Sequence, residues 1–142
     1  MVAGHKEYIN SILKVKSNMD SGMFRAMQVA AVEALNSPAS WYESVNEVYK
    51  RRRKIVEEIM NLLKCSFNKE QTGLFVWGKI PDSIVSCEEF VEEILQKARV
   101  FITPGFIFGS MGNRYIRISL CADEAALTKA LNRISEFLSS AK

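Results

Sequence analysis

The sequence predicts a fold of the α/β class, more narrowly α+β, in which a small three-stranded sheet, largely antiparallel, is covered by helices. Three observations support this prediction. Apolar residues recur every three or four positions over long stretches, as in helices that are buried along one side. Three short segments are instead rich in β-branched and aromatic residues, which favour strands. The loop between the last two of these segments is too short for a crossover helix, so their strands are expected to be antiparallel.

The region 1–36 is expected to be mainly helical. Residues 6–14 place their apolar side chains on one side of a helix. Residues 15–22 are polar and contain a glycine, which predicts a loop or an irregular start of the next helix. Residues 23–35 are rich in alanine, methionine and glutamine, and these good helix formers predict a second helix.

A long helix is predicted over residues 38–63, because Ser37 can cap its start and Pro38 suits its first position. Its apolar residues form a one-sided stripe: Trp41, Tyr42, Val45, Val48, Tyr49, Ile55, Val56, Ile59, Leu62 and Leu63. The basic run at residues 50–54 lies largely off this stripe, and we interpret it as a solvated helix face. No aromatic or glycine-rich RNA-binding motif accompanies the run, so nucleic-acid binding is a secondary hypothesis.

The rest of the chain alternates between strands and helices. The predicted strands cover residues 73–81, 100–103 and 114–120. A capping box of Ser86 and Glu89 opens a helix through about residue 97, and Asp123 caps a last helix through about residue 138. Since neither a repeat nor a linker is found, residues 1–142 are expected to form a single domain.

Composition and charge exclude several function classes. The 142 residues are 48% hydrophobic and 25% charged, which is ordinary for a soluble globular protein. The net charge of +3 is too small to imply a polyanionic partner. No apolar run reaches the roughly 18 residues of a membrane span, and the N-terminus lacks the apolar core of a signal peptide. We therefore expect neither a nucleic-acid nor a membrane partner, and a cytoplasmic location.

The three cysteines indicate reduced thiols. Cys65, Cys87 and Cys121 are odd in number and form no C-x-x-C pair, so neither a disulfide framework nor a zinc site is expected. His5 is the one histidine and lies far from them in sequence, so cysteine–histidine catalysis has little support. Free thiols are typical of a cytoplasmic protein.

The segment 100–120 carries the strongest chemical signal. A short strand runs into Pro104 and a loop that contains Gly105, Gly109 and Gly112. Three glycines within eight residues indicate special backbone angles or the close approach of another group.

Two arginines follow this loop. Arginine binds a carboxylate or a phosphate in a planar, two-pronged manner. Arg114 and Arg117 are three positions apart, so on a regular strand they point to opposite faces and at most one serves a given site. Arg117 lies between Ile116 and Ile118 and therefore needs an anionic partner. That partner is either a ligand or an acidic residue of the chain in a structural salt bridge.

This segment resembles the C-terminal part of the class I/II aminotransferases, the fold-type I pyridoxal-phosphate enzymes. The family pattern V-x-x-x-P-G-x-x-F-G is matched by Val100, Pro104-Gly105 and Phe108-Gly109, and the pattern Y-x-R-I-S by residues 115–119. Residues 72–81 resemble the family's G-x-(F/Y)-(F/V)-x-W strand, and residues 17–35 resemble the helix that connects its two domains. The resemblance covers almost the whole chain. It implies the C-terminal small domain of such an enzyme, with the connecting helix inside residues 1–36.

The resemblance also implies a substrate site. In the family, the arginine of the last strand binds the α-carboxylate of the substrate, and it corresponds to Arg117. Gly105, Phe106 and Phe108 would form a wall of the site. Contact with a substrate side chain and packing in the core remain open for both phenylalanines.

Three further residues are placed by the same resemblance. Asn18 and Ser21 lie in a segment near the dimer interface of such enzymes, which makes them secondary site candidates. Arg114 is expected at the surface or in an interface. No metal ligand is expected.

The implied cofactor is pyridoxal 5'-phosphate in the complete enzyme, which would be a homodimer acting on an amino acid and a 2-oxo acid. The family's cofactor lysine lies in a motif S-K-x-x-x-(M/L)-x-G-x-R-x-G, which does not occur here, and Lys6, Lys14 and Lys16 lack that context. We therefore expect a fragment without the N-terminal large domain. On its own it would hold neither a catalytic nor a cofactor-binding residue, bind cofactor poorly or not at all, and be inactive.

One alternative is a stand-alone anion-binding or regulatory module that keeps Arg117 and has lost catalysis. Several properties are left open by the sequence: the amino acid used, the choice between transamination, elimination and decarboxylation, the oligomeric state of the fragment, and whether a chain of this length is natural.

Overall fold

A computed structural model of the protein describes residues 2–140. The chain divides into two compact units, Met1–Tyr42 and Glu43–Lys142.

The first unit contains two helices, α1 (Lys6–Met19) and α2 (Arg25–Leu35), and the start of a third. Helix α1 continues five residues past the predicted end at residue 14, so the predicted loop is largely helical. The polar residues of this stretch bond to the helix itself: Asn18 donates to the Lys14 carbonyl, and Lys16 pairs with Asp20. No residue of α1 or α2 is buried within the described structure. Their large apolar side chains are therefore exposed: Tyr8, Ile12, Leu13, Val15, Met19, Met27, Val29, Val32 and Leu35.

The second unit contains the sheet. Its elements are helix α3 (Ala39–Leu62, which begins in the first unit), β1 (Phe75–Lys79), α4 (Cys87–Ala98), β2 (Thr103–Pro104), β3 (Tyr115–Ser119) and α5 (Glu124–Ser140). The strand order is β1-β3-β2, and both pairs are antiparallel. The predicted three-stranded sheet with helices is thus confirmed, including the antiparallel pairing of its last two strands.

The sheet has one buried face and one open face. Val76, Ile116 and Ile118 alternate along β1 and β3 and join the apolar core. The helices complete this core with Val56, Ile59 and Met60 from α3, Val91 and Ile94 from α4, and Leu127 and Ile134 from α5. Helix α3 approaches β1 so closely that a Cβ atom at Gly78 would lie 2.7 Å from Met60 Sδ. Helices therefore cover one face of the sheet, and the side chains between the core positions point to the other.

Two of the three predicted helix caps are confirmed, those of α4 and α5, whereas at the start of α3 the Ser37 hydroxyl donates to the Glu33 carbonyl at 3.4 Å. Ser86 Oγ accepts from the Glu89 N–H at 3.2 Å at the start of α4. Asp123 Oδ1 accepts from the Ala126 N–H at 2.7 Å at the start of α5. The second strand is shorter than predicted, because only Thr103 and Pro104 pair with β3.

The basic run of α3 is only in part the solvated face that we expected, because Lys50, Arg51 and Lys54 are exposed but Arg52 and Arg53 are half-buried. Arg51 Nε donates to the Glu124 carboxylate at 2.9 Å, and Arg53 donates to the Gly73 carbonyl at 3.3 Å. Arg52 donates to the backbone carbonyls of the two residues that follow β3. These arginines connect α3 to the loops around the sheet, through contacts between residues far apart in sequence.

Candidate functional site

The open face of the sheet carries an arginine surrounded by aromatic rings. In the strand register, Trp77 of β1 and Thr103 of β2 lie on either side of Arg117 in β3. Phe75 shares the open face with Trp77, two positions earlier on β1. The face opposite the core is thus aromatic and cationic.

The Arg117 guanidinium contacts two of these rings. Its central carbon lies 4.1 Å from the ring centroid of Phe75 and 4.2 Å from that of Phe108, and both are cation–π contacts. Within residues 2–140 the guanidinium forms neither a hydrogen bond nor an ion pair with a protein group. The structural salt bridge that the sequence left open is therefore not formed by the described residues. With respect to residues 2–140, its five N–H donors are available to bind an anion.

The glycine-bearing loop places Phe108 against Arg117. Phe108 ends the short 3₁₀ turn Gly105–Phe108, and its ring meets Trp77 edge to face, with 5.3 Å between centroids. A Cβ atom at Gly112 would lie 2.0 Å from the Gly105 carbonyl oxygen. The close approach predicted from the glycines is thus an approach of the loop backbone to itself, which fixes the loop.

The three predicted wall residues have different surroundings. Phe108 contacts Arg117, and Gly105 is buried and supports the loop. Phe106 instead lines a separate groove of about 450 Å³, together with Val85 and Asn113. Phe106 and Phe108 are 36% and 51% exposed, so core packing is wrong for both.

An apolar cleft lies beside Arg117 on the β2 side of the sheet. Its volume is about 260 Å³, and it opens where residues 100–102 run next to β3 without pairing to it. Thr103 and Ser119 contribute hydroxyl groups to its lining, and alanines of α5 form its far wall.

Arg114 is half-buried, with 31% of its side chain exposed, and it binds to the protein itself. It donates to the carbonyls of Pro81 at 2.8 Å and of Ile80 and Val85 at 3.4 Å, and also to that of Ile84. A contact of 3.4 Å to the Asp82 carboxylate completes this set. Its side chain thus ties the β1–α4 loop to the start of β3.

Asn18 and Ser21 belong to the first unit. The Asn18 amide donates to the Lys14 carbonyl at 2.8 Å, and Ser21 is exposed in the bend after α1. The group around Arg117 consists of residues from the second unit.

Covalent attachment of pyridoxal phosphate requires a lysine amine. Lys79 is the one lysine of the three strands, and its amine lies 3.2 Å from the Asp82 carboxylate. Hydrogen bonding from Lys79 lowers the pKa of Asp82, so the acid is ionised and holds this amine. We derive no chemical step through the cofactor from this chain.

The cysteines are free thiols: Cys65 and Cys87 are buried and Cys121 is exposed. Burial raises the pKa of Cys65 to about 11, so this thiol is protonated at neutral pH. No cluster of three metal-binding side chains occurs among residues 2–140. In that part of the chain, no helix has both the length and the apolar character needed to cross a bilayer.

Phe75 and Trp77 were not predicted as site residues. The available signal was the alternation along β1, in which they share one face while Val76 and Gly78 share the other. Trp77 contacts Phe108, and Phe75 and Phe108 both contact Arg117. The position of Phe108 depends on the loop conformation, which the sequence pattern does not specify.

Comparison with known proteins identifies the family. The family model for aminotransferase class I and II matches residues 1–134. The LL-diaminopimelate aminotransferase of Maridesulfovibrio salexigens is 36% identical over 136 residues, which are 96% of this chain and 35% of that protein. The enzyme of the same name from Aquifex aeolicus is 37% identical over 134 residues, which are 94% of this chain and 34% of that protein.

Solved structures give the same result. An aminotransferase from Staphylococcus aureus superposes with a TM-score of 0.79 at 31% identity, over 96% of this chain and 36% of that chain. A probable N-succinyldiaminopimelate aminotransferase from Thermus thermophilus superposes with a TM-score of 0.77 at 26% identity, over 94% of this chain and 36% of that chain. The chain thus spans about a third of the length of these relatives. With a family match over nearly all of its residues and the same fold, the chain belongs to the class I and II aminotransferases.

Proposed function

We propose that the chain is the C-terminal small domain of a pyridoxal-phosphate-dependent aminotransferase, in which Arg117 binds the α-carboxylate of the substrate. The observation that carries this proposal is the Arg117 guanidinium, held against two rings without an anionic partner among the described residues. An amino acid and its 2-oxo acid share the carboxylate next to the reacting carbon, so one arginine serves both directions of the reaction.

Arg117 acts by binding the substrate carboxylate and orienting the substrate. A two-pronged pair with the carboxylate fixes the direction of the α-carbon, which brings the amino group to a defined place. The rings of Phe75 and Phe108 shield part of the guanidinium from water, and this strengthens its attraction for an anion.

Several relatives are named LL-diaminopimelate aminotransferases. We therefore take LL-diaminopimelate as the first amino donor to test. The cleft beside Arg117 contributes hydroxyl groups and apolar surface, but it does not select one side chain over another.

The remaining parts of the enzyme lie outside this chain in our proposal. The N-terminal large domain supplies the cofactor and its lysine, residues 1–36 include the helix that connects the two domains, and the complete enzyme is a cytoplasmic homodimer. The exposed apolar side chains of α1 and α2 support this arrangement, because such a surface is normally covered by protein. In this proposal the isolated chain is inactive, since the family's cofactor-lysine motif does not occur in its 142 residues.

The test is to compare the isolated chain with the native gene product in the source cells. We expect a native polypeptide much longer than 142 residues that catalyses transamination, and an isolated chain that does not. Robust transamination by the isolated chain would contradict the proposal. An inactive native product of this length that binds carboxylates would instead establish the anion-binding module.

A further inference from the structure

The aromatic contacts of Arg117 restrict how an anion can reach it. Phe75 and Phe108 both turn a ring face toward the guanidinium, at 4.1 and 4.2 Å from its central carbon. A ring face carries negative electrostatic potential, which attracts the guanidinium and repels an anion. An anion therefore approaches best along the guanidinium edge, where the N–H donors have no partner in the described part of the chain.

Planar and tetrahedral anions differ at such an edge. A carboxylate that binds through both oxygens keeps all its atoms in the guanidinium plane. A sulfonate or phosphonate that binds through two oxygens directs a third oxygen out of that plane. Next to Arg117, this third oxygen would point toward a ring face, where it loses water and meets negative potential.

We propose that Phe75 and Phe108 form a slot that orients the Arg117 guanidinium and selects planar carboxylates over tetrahedral anions. This inference rests on the proposed anion-binding role of Arg117 and adds to it a determinant of specificity. Phe108 is the specificity-determining residue, and the loop that carries it is the positioning element.

The two rings are held by different means. Phe75 lies in β1, opposite Ser119 in the strand register, so the sheet fixes it. Phe108 is held by the edge-to-face contact with Trp77 and by the backbone contact between Gly105 and Gly112. A change at Phe108 removes one side of the slot and leaves the paired strands in place.

The experiment uses the full 142-residue chain and two probes of equal charge, propionate and ethanesulfonate at pH 7. The observed signal is the NMR resonance of the Arg117 side-chain Nε–H group, assigned by its loss in Arg117→Lys. Ring currents from Phe75 and Phe108 should shift this proton upfield, and Phe108→Leu should move it back toward the usual arginine position.

Titration of the Arg117 Nε–H resonance with each probe then measures the selectivity for propionate over ethanesulfonate. Propionate should bind Arg117 roughly tenfold more tightly than ethanesulfonate, and Phe108→Ala should reduce this ratio to about threefold or less, as expected for loss of one aromatic contact. Met111→Ala is the matched control: it lies in the same loop and is 90% exposed, so it should change neither the proton shift nor the ratio. Phe108→Leu, which keeps an apolar side chain, should give an intermediate ratio.

The outcomes separate the inference from the proposed function. If both probes shift the Arg117 Nε–H resonance of the unmodified chain with equal affinity, Arg117 binds anions but the slot is refuted. If the proton shows no ring-current shift, the stacked arrangement is refuted whatever binds. If propionate does not perturb Arg117 at all, the proposed function fails and the slot with it.

Discussion

Arg114 and Arg117 are only three residues apart, yet their guanidinium groups have opposite surroundings. Arg114, just before β3, donates to four backbone carbonyls and one carboxylate. Arg117, in the middle of β3, is held by two ring faces and by no acceptor among the described residues. An arginine whose donors are satisfied stabilises the fold, whereas one that is held but unsatisfied is suited to bind a ligand.

Arg117→Ala in the complete enzyme should give the largest effect. We expect kcat/KM for the amino acid to fall about 100- to 1000-fold, because a charged contact to the carboxylate is lost. The free energy of unfolding should change by less than about 1 kcal/mol, because no acceptor among the described residues is left without its donor. Steady-state kinetics and denaturant unfolding of the same preparation measure both quantities. A loss of stability that matches the loss of activity would make Arg117 a structural residue.

Arg114→Ala should show the reverse pattern. Several carbonyls of the 80–85 loop lose their donor, so the chain should be destabilised by roughly 2–3 kcal/mol. Carboxylate affinity measured on the folded fraction should change less than about threefold. Arg114→Lys should recover only part of the stability, since an ammonium group lacks the arginine fork. If Arg114→Ala impaired carboxylate binding as much as Arg117→Ala, the division of roles between the two arginines would be wrong.

Gly112→Ala tests whether the backbone contact between Gly105 and Gly112 fixes the loop that places Phe108 against Arg117. Its Cβ atom would meet the Gly105 carbonyl oxygen at 2.0 Å, so the loop must move. We expect a destabilisation of about 1–3 kcal/mol and a weaker contact of Phe108 with Trp77. The fluorescence of Trp77, measured in a chain from which Trp41 has been removed by substitution, reports the weaker contact with Phe108. A Gly112→Ala chain with unchanged fluorescence and stability would show that the backbone contact does not fix the loop.

The smallest expected effect concerns the buried thiol of Cys65. Its pKa is raised from 9.0 to about 11 by burial, so the stability present below pH 9 is lost as pH rises through the folded pKa. Unfolding free energy should fall between about pH 9 and pH 11, by at most about 2.7 kcal/mol from this group. In Cys65→Ala that part of the pH dependence should disappear. The same slope in both proteins would assign it to other groups.

The sequence predicts the helices and their caps best, because these depend on local contacts. Ser86 and Asp123 cap α4 and α5 as their sequence motifs indicate, since the bonded groups are three residues apart. Helix α1 was predicted too short, because polar residues such as Asn18 continue it by bonding to its own backbone.

The sequence predicts the site less completely. The two-residue alternation in β3 made Arg117 a candidate, the family resemblance assigned its role, and the glycine spacing indicated special backbone angles or the close approach of another group. The partners of Arg114 and of the basic run in α3 are 30 or more residues distant in most cases, so no local pattern shows them. Phe75 and Phe108 meet at Arg117 for the same reason: the loop conformation brings them together.

The most direct test of the central claim compares two substrates of the complete enzyme, an amino acid and the matched amine that lacks the carboxylate. The quantity is the ratio of their kcat/KM values in the unmodified enzyme and in Arg117→Ala. If Arg117 recognises the carboxylate, the ratio falls at least about tenfold in the variant, because only the amino acid loses a contact. An unchanged ratio, with both substrates slowed equally, would show that Arg117 acts on the site as a whole and does not bind the carboxylate.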